Sequence, residues 1–193
     1  GISLYTDQVT DKTKIDALQK YLVSSLYLFH PPRRGEYADM TIISWKDFYD
    51  IPFESKSDKN YLVNGGRSAS KKFFWFGNYK TKKTHGVQKI KIKSDLNTVL
   101  NMWIKHNPTN HMLIDTKYKK MSRNTLTKYL YKVFNEVNAK VSTNMLRHIY
   151  LSNKYGNETT YKEKQDDARL MGHTVKTQQQ IYVKTNKKNN DNQ

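Results

Sequence analysis

Leu170-Met-Gly-His173, with Gln180-Ile-Tyr182 behind it, is the stretch on which the reading of this chain turns. A glycine that closes a helix leaves the next side chain at the helix end, so His173 stands where a short loop begins. Tyr182 follows nine residues later, at the end of a last short helix expected from Thr174 to Val183. Upstream, Thr160-Tyr-Lys-Glu163 has the spacing of a capping box, in which hydroxyl and carboxylate each satisfy a free amide of the first turn. The helix it opens runs to Gly172. One segment further back, Asn144-Met-Leu-Arg-His148 sits in a stretch from about Thr143 to Tyr155 that Gly156 closes.

Helical spacing also marks Ile15, Leu18, Leu22, Leu26 and Phe29, which His30-Pro31-Pro32 stops, and a second helix is expected after the prolines, carrying Arg33, Arg34, Glu36 and Tyr37. It returns at Leu96, Val99, Leu100, Trp103 and Ile104, after a possible cap at Ser94-Asp95 and before Asn107-Pro108. It marks a further helix after Ser122, with Leu126, Leu130, Val133, Phe134 and Val137 on one face. Between these, Tyr61-Leu-Val63, Phe73-Phe-Trp-Phe76 and Val87 to Ile92 read as three short antiparallel strands, with a hairpin around Thr84-His85-Gly86. The expected fold is α+β, mainly α-helical with a small three-stranded antiparallel sheet. It forms a single domain over 1–187, followed by a polar tail over 188–193.

Composition narrows the chemistry. The 193 residues carry 34 Lys plus Arg against 17 Asp plus Glu, a formal net charge of +17, and such an excess points to a polyanionic partner. Aromatic residues make up 12%, too many for a purely disordered basic tail, and a chain of this length can bury roughly 70% of its unfolded surface. With no Cys there is no disulfide, thiolate metal site or cysteine nucleophile. The longest mostly apolar stretch, Tyr21 to Phe29, is far below the roughly 20 residues of a membrane span. The start at Gly1, with no charged region and long apolar stretch after it, suggests a fragment or processed chain without a secretion signal. An intracellular location, without secretion, is therefore expected. No phosphate loop, dinucleotide fingerprint or His-Glu-x-x-His zinc pair occurs, and no acidic pair has a spacing that demands a two-metal nuclease site. No metal or cofactor is expected. Only six of the basic residues are arginines, at 33, 34, 67, 123, 147 and 169, and these are the side chains that can grip phosphate oxygens two at a time.

Three short motifs in order resemble the boxes of the tyrosine recombinase and integrase family. Pro31-Pro-Arg-Arg-Gly-Glu-Tyr37 is similar to its first arginine box, an arginine with Glu three residues on; Asn144-Met-Leu-Arg-His148 resembles the second, usually His-x-x-Arg; Leu170-Met-Gly-His173 with Tyr182 resembles the Leu-Gly-His box and its nucleophile. The resemblance covers roughly Lys12 to Lys187, a catalytic domain without the family's N-terminal core-binding domain. It looks most like integrases of viruses and mobile elements. It implies the family's catalytic-domain fold, with Arg33 and Arg147 on the phosphate, His173 donating to a phosphate oxygen, and Tyr182 forming a 3′-phosphotyrosine. Arg34 is the neighbour that could be mistaken for Arg33. A hairpin lysine acts as general acid in the family, and Lys80 is the choice here, with Lys83 nearer the turn. Asn144 stands where the family usually has His; it can take up no proton, so it is expected at most to hydrogen-bond the phosphate and general-base duty there is in doubt, while His148 is left to packing or to supporting the site residues.

Elementary chemistry agrees. Transesterification adds negative charge to the nonbridging oxygens, so preorganised guanidiniums bind the transition state more tightly than the substrate. A phosphotyrosine stores the bond energy, so religation needs neither ATP nor metal. Arg34, Lys82, Lys83, Lys117, Lys119, Lys120 and Arg123 are candidate contacts to duplex DNA, with strand exchange expected in a homotetramer of the full-length protein and a monomeric isolated fragment. Two rivals stand beside this reading: a type IB topoisomerase or telomere resolvase, and a DNA-binding relative without catalysis.

Overall fold

The computed structural model describes residues 12–134, 141–155 and 159–178. Helix α1 (Lys12–Phe29) buries Ile15, Leu18, Leu22 and Leu26, as its spacing predicts, and packs on α5 (Ser94–His106) and α6 (Arg123–Phe134). Helix α5 starts one residue earlier than a Ser94 cap would allow: Lys93 is its N-cap and Asp95 lies in the first turn. Ser122 caps α6, its Oγ accepting from Thr125 N at 3.0 Å.

The sheet differs from expectation. It has four strands, in the order β1 (Met40–Ser44), β2 (Asn60–Asn64), β3 (Lys72–Phe76), β4 (Gln88–Lys91). β2 to β4 are the three antiparallel strands read from sequence, and β1 adds a parallel neighbour to β2, so the sheet is mixed. Two short helices, α2 (Trp45–Asp50) and α3 (Phe53–Ser57), make the crossover that parallel pairing requires. The aromatic run of β3 reads as continuous because both of its faces are covered. Phe74 and Phe76 join Leu62 in the main core beneath α1 and α5, while Phe73 and Trp75 join Tyr61, Val63 and Phe48 under α2. Gln19 ties α1 to the segment beside β1, donating to Ile114 O at 3.0 Å and accepting from Ile114 N at 2.8 Å, as a neighbouring strand would.

Another expectation gives way. Residues 31–39 form no helix: 31–33 are irregular, 34–35 bend and 36–39 turn, with Ala38 N donating to Gly35 O and Met40 N to Tyr37 O. Arg33, Gly35, Glu36, Tyr37 and Ala38 are all buried there, and no single helix face could turn that many successive side chains inward. The β3–β4 hairpin forms as expected, but around the short helix α4 (Lys82–His85) rather than a simple turn at 84–86, the helix ending at Gly86 with φ +65°. The C-terminal part holds α7 (Thr143–Lys154), α8 (Tyr161–Leu170) and α9 (Val175–Thr177). The expected last helix through Val183, Tyr182 within it, and the tail lie outside the described residues beyond Gln178.

Candidate active site

The local rules that place each side chain are visible. Ser142 caps α7, and Arg147 sits one turn in, fully buried. Thr160 and Glu163 form the capping box expected of them, which opens α8. The helix closes in a Schellman motif: His173 N donates to Ala168 O at 2.9 Å and Gly172 N to Arg169 O at 3.0 Å, with Gly172 at φ +65°. That left-handed step puts His173 at the helix end with 0% exposure.

The turn Met171-Gly172-His173 is where separated parts of the chain meet. Arg147 Nη2 donates to Met171 O at 3.3 Å and to His173 Nδ1. Arg34, half-buried, donates to Gly172 O at 3.3 Å. Arg33 reaches the same turn: a Cβ added to Gly172 would lie 3.0 Å from its Nη1, so glycine is required there both by φ and by space. The Arg33 guanidinium lies over the Phe76 ring at 3.8 Å and near the Tyr79 ring at 5.2 Å, and its Nη2 donates to Gln88 Oε1. Gln88 in turn donates to Arg169 O at 2.9 Å, so β4 is tied to α8.

Electrostatically the cluster is lopsided. Arg33 and Arg147 are 1% and 0% exposed. Burial pulls the Arg33 pKa down while Glu36, Tyr37 and Tyr79 act the other way, and a guanidinium remains charged at neutral pH in any case. Nε and Nη1 of Arg33 are buried with no hydrogen-bond partner among the described residues. Buried polar groups are paired as a rule, and a buried charge left short of acceptors is costly, so these nitrogens are suited to an anionic ligand. His173 is neutral: burial, and then the Arg147 charge, push its pKa down to about 3. A guanidinium only donates, so Nδ1 of His173 is the acceptor and Nε2 carries the proton, which it gives to Gln178 Oε1 at 3.0 Å.

The other sequence-derived candidates fall out as follows. Lys80 is exposed on the turn directly after Tyr79, beside the arginine cluster in the chain but ahead of α4 rather than on a hairpin strand. Lys83 is exposed on α4, and Lys82 pairs with Asp58. Asn144 is exposed on α7, one turn before Arg147. His148 reaches Ser152 Oγ at 3.2 Å on the same helix. Lys117, Lys119 and Lys120 are exposed on the loop before α6, folded back on Asp115, whose Oδ1 accepts from the amides of Lys117 and Lys119. Arg123 at the start of α6 pairs with Asp39 at 2.5 Å and packs over Gly35, bracing the arginine turn. Arg33 and Arg147 are buried, so the described residues form a closed nest around them. Two cavities of about 300 and 480 Å³ lie elsewhere, one beneath α1 at Asp16 and Tyr129 and one beside Arg67 and Lys105. Gln88, Gln178, Tyr155 and Asp167 belong to the cluster's surroundings and carry no signal in the sequence.

No protein-family model matches the chain, and no curated protein matches it in sequence. Among solved structures, the fold is similar to that in the crystal structure of XerA recombinase, with a TM-score of 0.55 and 12% sequence identity. The match covers 97% of this chain and 62% of that one, so this chain spans less than two thirds of the recombinase's length. The likeness is one of fold: mainly helical α+β around a small sheet.

Proposed function

We propose that the chain is the catalytic domain of a tyrosine-type site-specific DNA recombinase, with the integration of a viral or mobile-element genome as its role. The observation that carries this reading is the meeting of Arg33 and Arg147, 114 residues apart in the chain, with His173 at one helix-closing turn, where Arg33 still has nitrogens without acceptors among the described residues. The fold it shares with XerA recombinase adds weight. In this account the two guanidiniums hold the nonbridging oxygens of a scissile phosphate. Tyr182 Oη attacks phosphorus and the bond to the 5′-oxygen breaks. Lys80 gives that oxygen its proton, the phenolic proton passes to water, and the 3′-end stays esterified to Tyr182 until the reverse step. Because both arginines are buried, DNA binding must open the nest before the phosphate enters. Arg34, Lys82, Lys83 and the Lys117 to Lys120 loop supply backbone contacts on the duplex, and the full-length protein exchanges strands as a tetramer.

The test is covalent trapping on a pool of nicked duplexes of random sequence. Wild-type protein is expected to yield a denaturant-resistant protein–DNA adduct that Tyr182→Phe does not form and that Arg33→Ala and Arg147→Ala reduce. Equal trapping by Tyr182→Phe would refute the nucleophile. Relaxation of supercoiled plasmid without recombinants would favour a topoisomerase-like enzyme instead, and salt-sensitive DNA binding with no adduct under any condition would favour an inactive binder.

A further inference from the structure

A buried carboxylate behind the candidate site ends a chain of hydrogen bonds that all point the same way. Arg147 Nη2 donates to His173 Nδ1, and His173 Nε2 donates to Gln178 Oε1 at 3.0 Å. Gln178 Nε2 donates to Tyr155 Oη, and Tyr155 Oη donates to Asp167 Oδ2 at 3.1 Å. Asp167 is 2% exposed and also accepts from Lys154 Nζ at 2.7 Å and Tyr150 Oη at 3.5 Å. The five residues come from α7, the residue after it, α8, the closing turn and the end of α9, so the order is set by tertiary packing.

We propose that Asp167, Tyr155 and Gln178 are positioning residues for strand cleavage: a one-directional relay that fixes the tautomer and plane of the His173 ring and, through it, the guanidinium of Arg147. The proposal rests on the recombinase reading of Arg147 and His173. The physical reason lies in polarity. A carboxylate can only accept, so the Tyr155 hydroxyl hydrogen is committed to it, and the Tyr155 oxygen is left to accept the Gln178 amide hydrogen. That orients the carboxamide oxygen toward His173 and demands a hydrogen on Nε2. Nδ1 is then left bare for Arg147. Each bond polarises the next, and in a buried site the chain is worth more than its isolated pairs. Charged or titratable groups facing His173 are Arg147, Arg34 and His85, all of which disfavour an imidazolium, so the neutral ring is held from both sides.

The test uses the full chain labelled with 15N-histidine. The His173 resonances, identified by their loss in His173→Asn, are expected to report the neutral Nε2–H tautomer, without protonation down to pH 5. In Tyr155→Phe, which removes one oxygen, and in Gln178→Leu, the two tautomers are expected to mix. Adduct formation on nicked duplex is expected to slow about 10- to 100-fold, the scale of a small misplacement of reacting groups, with DNA affinity unchanged. Wild-type tautomer and wild-type adduct rate in Tyr155→Phe would overturn the relay. The expected tautomer in wild type with no adduct at all would instead overturn the recombinase reading and leave the relay standing.

Discussion

Gly172 is the residue on which the arginine cluster closes. It sits at φ +65°, and a side chain there would meet Arg33 Nη1 at 3.0 Å and Tyr79 Cδ2 at 3.2 Å. Gly86 has the same φ but nothing within 4 Å of a Cβ. Gly172→Ala is expected to cost more than the about 1–2 kcal/mol of a left-handed L-residue, because Arg33 must also shift, whereas Gly86, at ψ −164°, lies in a region that only glycine adopts freely and is no reference for it. Urea unfolding of Gly172→Ala checks this, and a cost of only about 1–2 kcal/mol would mean that Arg33 does not lean on the turn. The buried histidines make a second residue-scale expectation. His173 is held down to a pKa of about 3 and His30 to about 4, in both cases mainly by burial. Folded pKa values below the ordinary histidine value of about 6.5 mean that the unfolded chain binds more protons as the pH falls. Their contribution to stability is full above about pH 6.5 and lost below it, by up to about 1.4 kcal/mol per pH unit for each ring. His30 packs edge-on against Phe74, its Nε2 without a hydrogen-bond partner among the described residues. Replacing it with Leu is expected to raise the urea midpoint at pH 5 relative to wild type while changing little at pH 7.5. A wild-type midpoint that stays flat from pH 7 to pH 4.5 would contradict both assignments.

At the scale of elements, the capping box of α8 sets where the Schellman turn falls, since the helix has a fixed length between them. Thr160→Ala removes the cap and is expected to cost about 1 kcal/mol, a fall of roughly 2–4 °C in Tm. No change in thermal unfolding would show that the box is dispensable. This element was legible in the sequence because a cap acts within four residues. Helices α1, α5 and α6 were legible for a related reason, as each buries one face and so repeats every three or four residues. Strand β1 was not. Met40–Ser44 has only five residues, and its pairing with β2 depends on a crossover through α2 and α3 that no local pattern announces. The stretch 31–39 reads as a helix because Arg33, Glu36 and Tyr37 at helical spacing mimic one, whereas the packing of Arg33 on Phe76 and of Tyr37 on Tyr27 and Phe74 decides the backbone. For the site, Arg33, Arg147 and His173 were readable as motifs. Asp167, Tyr155 and Gln178 were not, because a relay assembled across three helices has no sequence spacing of its own.

For the molecule as a whole, a net charge of +17 with exposed lysines on the loop before α6 and on α4 would make the proposed affinity for duplex DNA a matter of counterion release. A footprint of 6–10 phosphates would weaken binding by about 10³- to 10⁵-fold between 50 and 200 mM salt, and fluorescence anisotropy with a labelled duplex is expected to show a slope of that order. A flat salt dependence would remove DNA as the partner. No described helix is long and apolar enough to cross a membrane. The account stands on one spatial claim, that Arg33 and Arg147 serve a single phosphate although both are buried in the protein alone. A crystal structure of the chain on a nicked duplex, with vanadate bridging the nick, measures this directly. The expected result is the vanadate within hydrogen-bond distance of both guanidiniums, with the Tyr182 oxygen in line behind it. Vanadate and duplex bound on another face, with the arginine nest still closed, would contradict it.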